Sequence, residues 1–264
     1  MKRRAFLRTL SAGATGAVVG GASWGLHERL HVAVTRETLH VTGLPDPFRG
    51  FRIALLTDFH RSGLVSADLI ATAVTTAMRE RPDLVVLGGD FVTHFDARFA
   101  GPVAEVLAPL RAPAGVVAVL GNHDDDRIVP GALTRAGIRV LREDRLRLTV
   151  DGASVDFFGI GYWTRPARIA PMIESSALPV LLAHDPRRLT EAAALGMALV
   201  LSGHTHGGQV VVPGVGPFNR FRFPVVAGSA RRGDTTLFVS RGVGTIYLPM
   251  RINCPPEVAI LTLT

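Results

Sequence analysis

Short apolar runs, each ending on a polar residue capable of chemistry, recur along this chain. FRIALL (51–56) leads into Asp58 and His60, LVVLGG (84–89) into Asp90, and GVVAVLG (115–121) into Asn122, His123 and Asp124. PVLLA (179–183) leads into His184 and Asp185, and MALVLSG (197–203) into His204 and His206. Runs of this length closed by glycine or a polar cluster read as buried strands. Helical stretches intervene: residues 66–81 before Pro82, PVAEVLAPL (102–110), and a short piece at 133–136. VDFFGIG (155–161), QVVV (209–212), TLFVSRG (236–242) and VAILTLT (258–264) add further strands. Strands alternating with helices predict an α/β fold.

In open α/β sheets the carboxyl ends of the strands face a common crevice. Asp58, His60, Asp90, Asn122, His123, His184, His204 and His206 are therefore expected to converge. Asp58-x-His60 and His204-x-His206 are i, i+2 pairs, a spacing that lets alternate side chains of extended backbone point the same way. The donors are all oxygen or imidazole, a set suited to Mn, Fe, Zn or Mg. Cys254 is the single cysteine. It excludes an intramolecular disulfide and a cysteine-based zinc cluster, and packing is its expected role.

The formal charge is +7, from 29 Lys and Arg against 22 Asp and Glu. That is compatible with attraction to nucleic acid, anionic lipid or phosphorylated substrates. The body of the chain has no basic run interleaved with aromatics, so no nucleic-acid module is expected. The N-terminus is more specific. Lys2, Arg3, Arg4 and Arg8 precede seventeen uncharged residues, 10–26, and Arg3-Arg4-Ala5-Phe6-Leu7 resembles a twin-arginine export signal. Residues 1–30 are expected to be that signal or a membrane anchor outside the fold, with the folded domain over 40–264. The twin-arginine export machinery would then be a partner, and the domain would lie at the outer side of the cytoplasmic membrane.

Taken in order, Asp58-x-His60, Gly89-Asp90, Gly121-Asn122-His123-Asp124, His184 and Gly203-His204-Thr205-His206 resemble the five blocks of the calcineurin-like metallophosphoesterases, over about residues 50–210. LLAHDP, LSGHTHGGQ and VSRGVG with a later PPEVAIL are similar to that family's bacterial exported or membrane-associated phosphodiesterases. The resemblance implies a four-layer α/β/β/α sandwich of two mixed sheets flanked by helices. It also implies a metal-dependent phosphoesterase, with a phosphodiesterase as the leading form. One metal would take Asp58, His60 and His206; a second would take Asn122, His184 and His204; Asp90 would bridge them. Two cations roughly 3.5–4 Å apart need such a shared anionic ligand, and a metal-bound water or hydroxide would be the nucleophile. His123 would stay off the metals and meet the leaving-group oxygen. Asp124 would either orient that imidazole or cap a helix.

Substrate contacts are less constrained. Arg61, His94 and Arg241 are candidates, with Arg251 and Asn253 at the rim. The second block departs from the family's common Gly-Asp-x-x-Asp, reading Gly89-Asp90-Phe91-Val92-Thr93-His94. Asp156 is expected to face solvent, and His27, His31 and His40 are assigned no role. Two alternatives stand beside the main reading. A UDP-2,3-diacylglucosamine-type pyrophosphate hydrolase conflicts with export, because that substrate lies at the cytoplasmic face. A non-catalytic metal-binding protein on the same fold would typically have lost a ligand or the catalytic histidine, and none is missing here. The metallo-β-lactamase pattern H-x-H-x-D-H is broken by Gly207-Gly208. For an enzyme of the envelope, the substrate could be a lipid head-group phosphodiester, an envelope polymer or a nucleotide.

Overall fold

The computed structural model describes residues 20–217, 219–223 and 225–264; the twin-arginine pattern at 3–7 lies outside the described residues. In chain order the strands are β1 (Ala33–Leu39), β2 (Arg52–Leu56), β3 (Leu84–Leu87), β4 (Val116–Ala118), β5 (Arg139–Val140), β6 (Asp144–Val150) and β7 (Ala153–Gly159). They continue with β8 (Ala177–Leu182), β9 (Leu199–Ser202), β10 (Val211–Val212), β11 (Gly216–Pro217), β12 (Gly228–Arg232), β13 (Thr235–Val239) and β14 (Glu257–Leu263). From β1 onward the α-helices are α1 (Ala67–Arg79), α2 (Ala100–Leu107), α3 (Val129–Arg135) and α4 (Leu189–Ala194).

Two six-stranded mixed sheets result, in the orders β1-β14-β2-β3-β4-β5 and β12-β13-β9-β8-β7-β6. Strands β2 to β5 are parallel, as are β7, β8, β9 and β13. Period-two alternation makes the layers. On β2, Ile53 and Leu55 enter the core between the sheets, while Ala54 and Leu56 enter the core beneath the helices. On β9, Leu199 and Leu201 face the first sheet, and Val200 joins Leu189 and Ala192 of α4 in a third core. The order is thus helix, sheet, sheet, helix.

Helix α1 shows how sequence sets these elements. The Ser66 side chain accepts the Leu69 N–H as an N-cap, and Leu69, Ile70, Ala73, Val74 and Ala77 form one buried stripe. Each fully buried Leu or Ile contributes roughly 1.5–3 kcal/mol. The chain turns out of the helix at Glu80, ahead of Pro82.

Four features differ from the sequence reading. Strand β1 pairs along its whole length with β14, so the domain takes in residues ahead of 40. The segment before it also docks on the body: the Arg251 N–H donates to Gly25 O (3.0 Å) and the Asn253 N–H to Glu28 Oε2 (2.7 Å). Residues 25–28 therefore belong with the fold. QVVV forms only a two-residue hairpin with β11, outside both sheets. Asp156 is buried, because Arg145 and Arg147 of β6 reach across to its carboxylate at 3.1 and 2.7 Å.

Candidate active site

The parallel strands of both sheets deliver their carboxyl ends to one cleft. Asp58, His60 and Asp90 leave β2 and β3 with φ of 56°, 47° and 55°; His204 and His206 leave β9 with φ of 73° and 52°. Non-glycine residues rarely adopt this left-handed region, and five together mark backbone held under strain at a functional site. Close approach explains two glycines. A Cβ on Gly121 would overlap the Asp90 carboxylate, and one on Gly203 would overlap Thr57 and Asp58.

The side chains form two groups whose ligand atoms lie within 4.8 Å of one another: Asp58, His60 and His206 in one, Asp90, His184 and His204 in the other. Asp90 faces both, with Oδ2 3.3 Å from His60 Nε2 and 3.2 Å from His184 Nε2. Its Oδ1 accepts the His123 N–H at 2.9 Å, which fixes the carboxylate's rotation. Asn122 lines the same cleft, and its buried Oδ1 has no hydrogen-bond partner.

These residues fit divalent cations. His60 Nε2 and His206 Nε2 stand 3.0 Å apart, two imidazole nitrogens turned on one point. The His184 Nδ1–H donates to Gly88 O at 2.7 Å, which aims Nε2 inward; Nε2 has no hydrogen-bond partner of its own. Thr93 donates its hydroxyl to His60 O and accepts the His60 Nδ1–H, so that ring also presents a bare Nε2. Burial lowers the His204 pKa to about 3, helped by His184, and burial with His60 holds His206 well below its usual range. Both are the neutral imidazoles that metals bind. At His184 burial acts downward, but Asp90 and Asp58 outweigh it and push the pKa up to about 10. The pocket thus draws positive charge to its centre.

His123 and Asp124 occupy different roles. The His94 N–H donates to His123 Nδ1 at 3.1 Å, so the neutral ring carries its proton on Nε2. Burial brings the His123 pKa down to about 4, against the pull of Asp90. Asp124 does not orient that imidazole, nor does it cap α3, whose approach is instead held by Asp125. Its Oδ1 accepts the N–H groups of Phe91 and Val92, and its Oδ2 those of Asp90 and Gly121, at 2.7 to 3.2 Å. Burial and Asp90 push its carboxyl up to about 6 against those donors. Asp124 is a positioning residue that ties the Asp90 loop to the Asn122 loop. Asp124→Ala strands these buried N–H groups and is expected to cost on the order of 3–5 kcal/mol of stability. Denaturant unfolding measures this, and a loss below about 1 kcal/mol would contradict the role.

The candidate substrate residues divide. His94 belongs to the site, its ring edge-on to His123 with centroids 4.9 Å apart. Arg61 does not: its guanidinium donates to Ser62 O and Val65 O and lies over the Phe99 ring. Arg241 is held by Glu257 and Thr35. Arg251 is wholly buried, donating to the carbonyls of Arg241, Gly242, Gly244 and Cys254. Asn253 donates to Val211 O, away from the cleft lining. These arginines and the asparagine build the loop scaffold because carbonyl oxygens there need donors. Cys254 packs as expected, fully buried, its thiol pushed up by burial.

The cleft holds about 600 Å³, and its outer wall is formed by residues the sequence did not single out, among them Tyr162, Arg187, Phe223, Tyr247 and Leu248. Arg187 is clamped by Asp185 at 2.7 Å, touches the Tyr162 hydroxyl at 3.1 Å and lies over Phe223. The available signal was adjacency, since Arg187 follows His184 by three residues.

Residues 51–208 match the calcineurin-like phosphoesterase family. The chain is similar over its whole length to the uncharacterized metallophosphoesterase YkuE of Bacillus subtilis, at 31% identity over 100% of this chain and 98% of YkuE. It is 34% identical to the phosphodiesterase YaeI of Escherichia coli, over 81% of this chain and 82% of that one. Among solved structures, the sulfate thiohydrolase SoxB of Thermus thermophilus shares the fold, with a TM-score of 0.52 at 15% identity over 83% of this chain and 57% of SoxB. Strand-end ligands, sandwich and relatives agree: this chain belongs to the calcineurin-like phosphoesterase family and is a metal-dependent phosphoric ester hydrolase.

Proposed function

We propose that the protein is a phosphodiesterase working with two divalent cations, exported and held at the outer side of the cytoplasmic membrane. The observation that carries the two-cation reading is Asp90 Oδ2, placed about equally far from a nitrogen of each ligand group. Asp58, His60 and His206 would hold one cation; Asn122, His184 and His204 the other; Asp90 would serve both. Bound there, the cations supply Lewis-acid polarisation of the phosphoryl oxygens and a water acidic enough to attack near neutral pH.

The chain's own residues do the rest. His123, neutral with its proton on Nε2, is a hydrogen-bond donor towards an oxygen of the substrate. Its low basicity favours stabilising the departing oxygen over carrying a proton to it. Tyr162, Phe223, Tyr247 and Leu248 give the cleft an apolar wall while Arg222 adds positive charge and Arg187, paired with Asp185, flanks it. That pairing suits an anionic diester with a bulky apolar substituent, a lipid-linked phosphodiester before a bare phosphate. The name phosphodiesterase carried by YaeI supports the diester preference. Export and anchoring are read from residues 2–26, and the donor set admits Mn, Fe, Zn or Mg.

The test compares bis(4-nitrophenyl) phosphate with 4-nitrophenyl phosphate, after chelation and after return of Mn²⁺. Diester turnover is expected to vanish on chelation, return with metal and exceed monoester turnover. Metal-indifferent turnover, or a faster monoester, would contradict the proposal.

A further inference from the structure

The mouth of the cleft carries large apolar side chains in water. Trp163 is 80% exposed, Phe221 86%, Tyr247 76% and Leu248 53%. They belong together: Tyr247 and Leu248 line the cleft, Phe221 lies between Asn219 and the lining residues Arg222 and Phe223, and Trp163 packs edge-on to Tyr162 at 4.7 Å. Val212 and Val215, 43% and 57% exposed, extend the patch onto the β10–β11 hairpin, which Val210 joins to Ile252 through an isolated bridge. A monomer rarely leaves so many large apolar groups contiguous in solvent without a contact for them.

Charge narrows the contact. The segments forming this side of the mouth, residues 160–173, 203–227 and 240–256, contain no Asp or Glu. They contain Arg168 and Arg222, Arg220 bonded to Val215 O, and Arg165 3.9 Å from Glu191, besides the internally bonded Arg241 and Arg251. On the facing loop Asp96 is paired with Arg98. Aromatic side chains mixed with arginines, with no carboxylate in these three segments, match the interface of an anionic bilayer.

Position narrows it further. The segment of residues 25–28 is bonded to residues 251 and 253, directly beyond Tyr247 and Leu248. Residues 25–28, which follow the uncharged run 10–26 and the basic Lys2, Arg3, Arg4 and Arg8 in sequence, therefore lie beside the mouth. Trp24, 55% exposed, and Leu30, 55% exposed, continue the apolar surface on that side.

We propose that the cleft mouth is itself a membrane-contact surface, which seats on anionic lipid and turns the ligand cluster towards phosphodiesters in the bilayer. What the cleft takes in rests on the function proposed above; the contact rests on the surface alone. Insertion of a few aromatic and leucine side chains, with arginines on lipid phosphates, is the usual basis of reversible interfacial binding. The apolar wall inside the mouth would then receive the start of a lipid chain while the phosphodiester reaches Asp90 and His123.

The test uses the full chain carrying Trp24→Phe, which leaves Trp163 as the one tryptophan of the two present. Vesicles of phosphatidylglycerol and phosphatidylcholine, with and without brominated acyl chains, are compared with phosphatidylcholine alone. Expected are a blue shift of Trp163 emission and loss of its intensity to brominated lipid, both dependent on phosphatidylglycerol. Phe221→Ser with Val215→Ser, two exposed residues outside the cleft lining, should weaken both effects and leave turnover of a soluble diester unchanged. Protein that sediments with the vesicles while Trp163 stays unquenched would overturn the proposal, since the N-terminal segment alone would then hold it. Failure to bind the vesicles would overturn it equally. Soluble diester turnover on the same samples keeps the two readings apart: its absence would sink the phosphodiesterase, and quenching would still decide the contact.

Discussion

Asp90→Asn is expected to lower phosphodiester turnover on the order of 10³-fold, the scale on which a single electrostatic element of a preorganised site acts. The substitution is close to isosteric. The amide oxygen can still accept the His123 N–H that Asp90 Oδ1 accepts now, so the loop should keep its course. What changes is Oδ2, which lies 3.3 Å from His60 Nε2 and 3.2 Å from His184 Nε2. An amide there removes the negative charge that lies nearest both groups, closer than Asp58 Oδ1 at 3.4 Å from His206 Nε2 and 3.8 Å from His184 Nε2, and points an N–H at their nitrogens. Burial raises the Asp90 pKa, yet His184 and His60 outweigh it and hold the carboxyl well below its usual range. The position is built for an anion. Circular dichroism should be unchanged, and turnover within tenfold of the native protein would contradict the role given to Asp90.

The second large effect belongs to His123→Ala. General acid–base and hydrogen-bonding residues contribute about 10²–10⁴-fold to rate, and the need for them grows as the leaving group becomes a poorer one. The loss should therefore be largest for alkyl diesters and small for nitrophenyl diesters, whose phenolate departs unaided. It should fall on kcat more than KM, because His123 is expected to act on charge that develops in the transition state. The His94 N–H to His123 Nδ1 bond fixes the tautomer on which this role depends. An equal loss across the leaving-group series would mean that His123 holds the substrate and does not assist departure.

The strands that could be read from sequence are the interior ones. β2, β3, β8, β9 and β13 are apolar on both faces because each lies between two cores, so continuous runs mark them. β1, β6 and β12 escaped notice, and all three are edge strands. AVTRETL, DRLRLTV and GSARR carry charged residues on their solvent side, which breaks the apolar run. Their pairing with the adjacent strands β14, β7 and β13 of the same sheet, not their own composition, places them there.

The same contrast holds at the site. Every proposed metal ligand lies at or just beyond the end of a strand, because the fold brings strand ends together and metal chemistry limits which residues can serve. Arginines obey no such limit. Arg61, Arg241 and Arg251 could each have met a phosphate by sequence alone, and each is instead bonded to loop carbonyls or to Glu257. Tyr162, Phe223 and Tyr247 arise in loops without periodicity, so nothing local announces that they wall the cleft. Asp124 was legible as a member of the Asn122-His123-Asp124 block, but its work on four backbone N–H groups depends on how close two loops come in space.

The most direct test of the two-cation account is a titration of metal-free full-length protein with Mn²⁺, following diester turnover against metal bound per chain. The account predicts that turnover develops with the second equivalent and saturates at two per chain, and that Asp90→Asn loses this second step. Full turnover at one bound metal, with no further change on adding more, would contradict it.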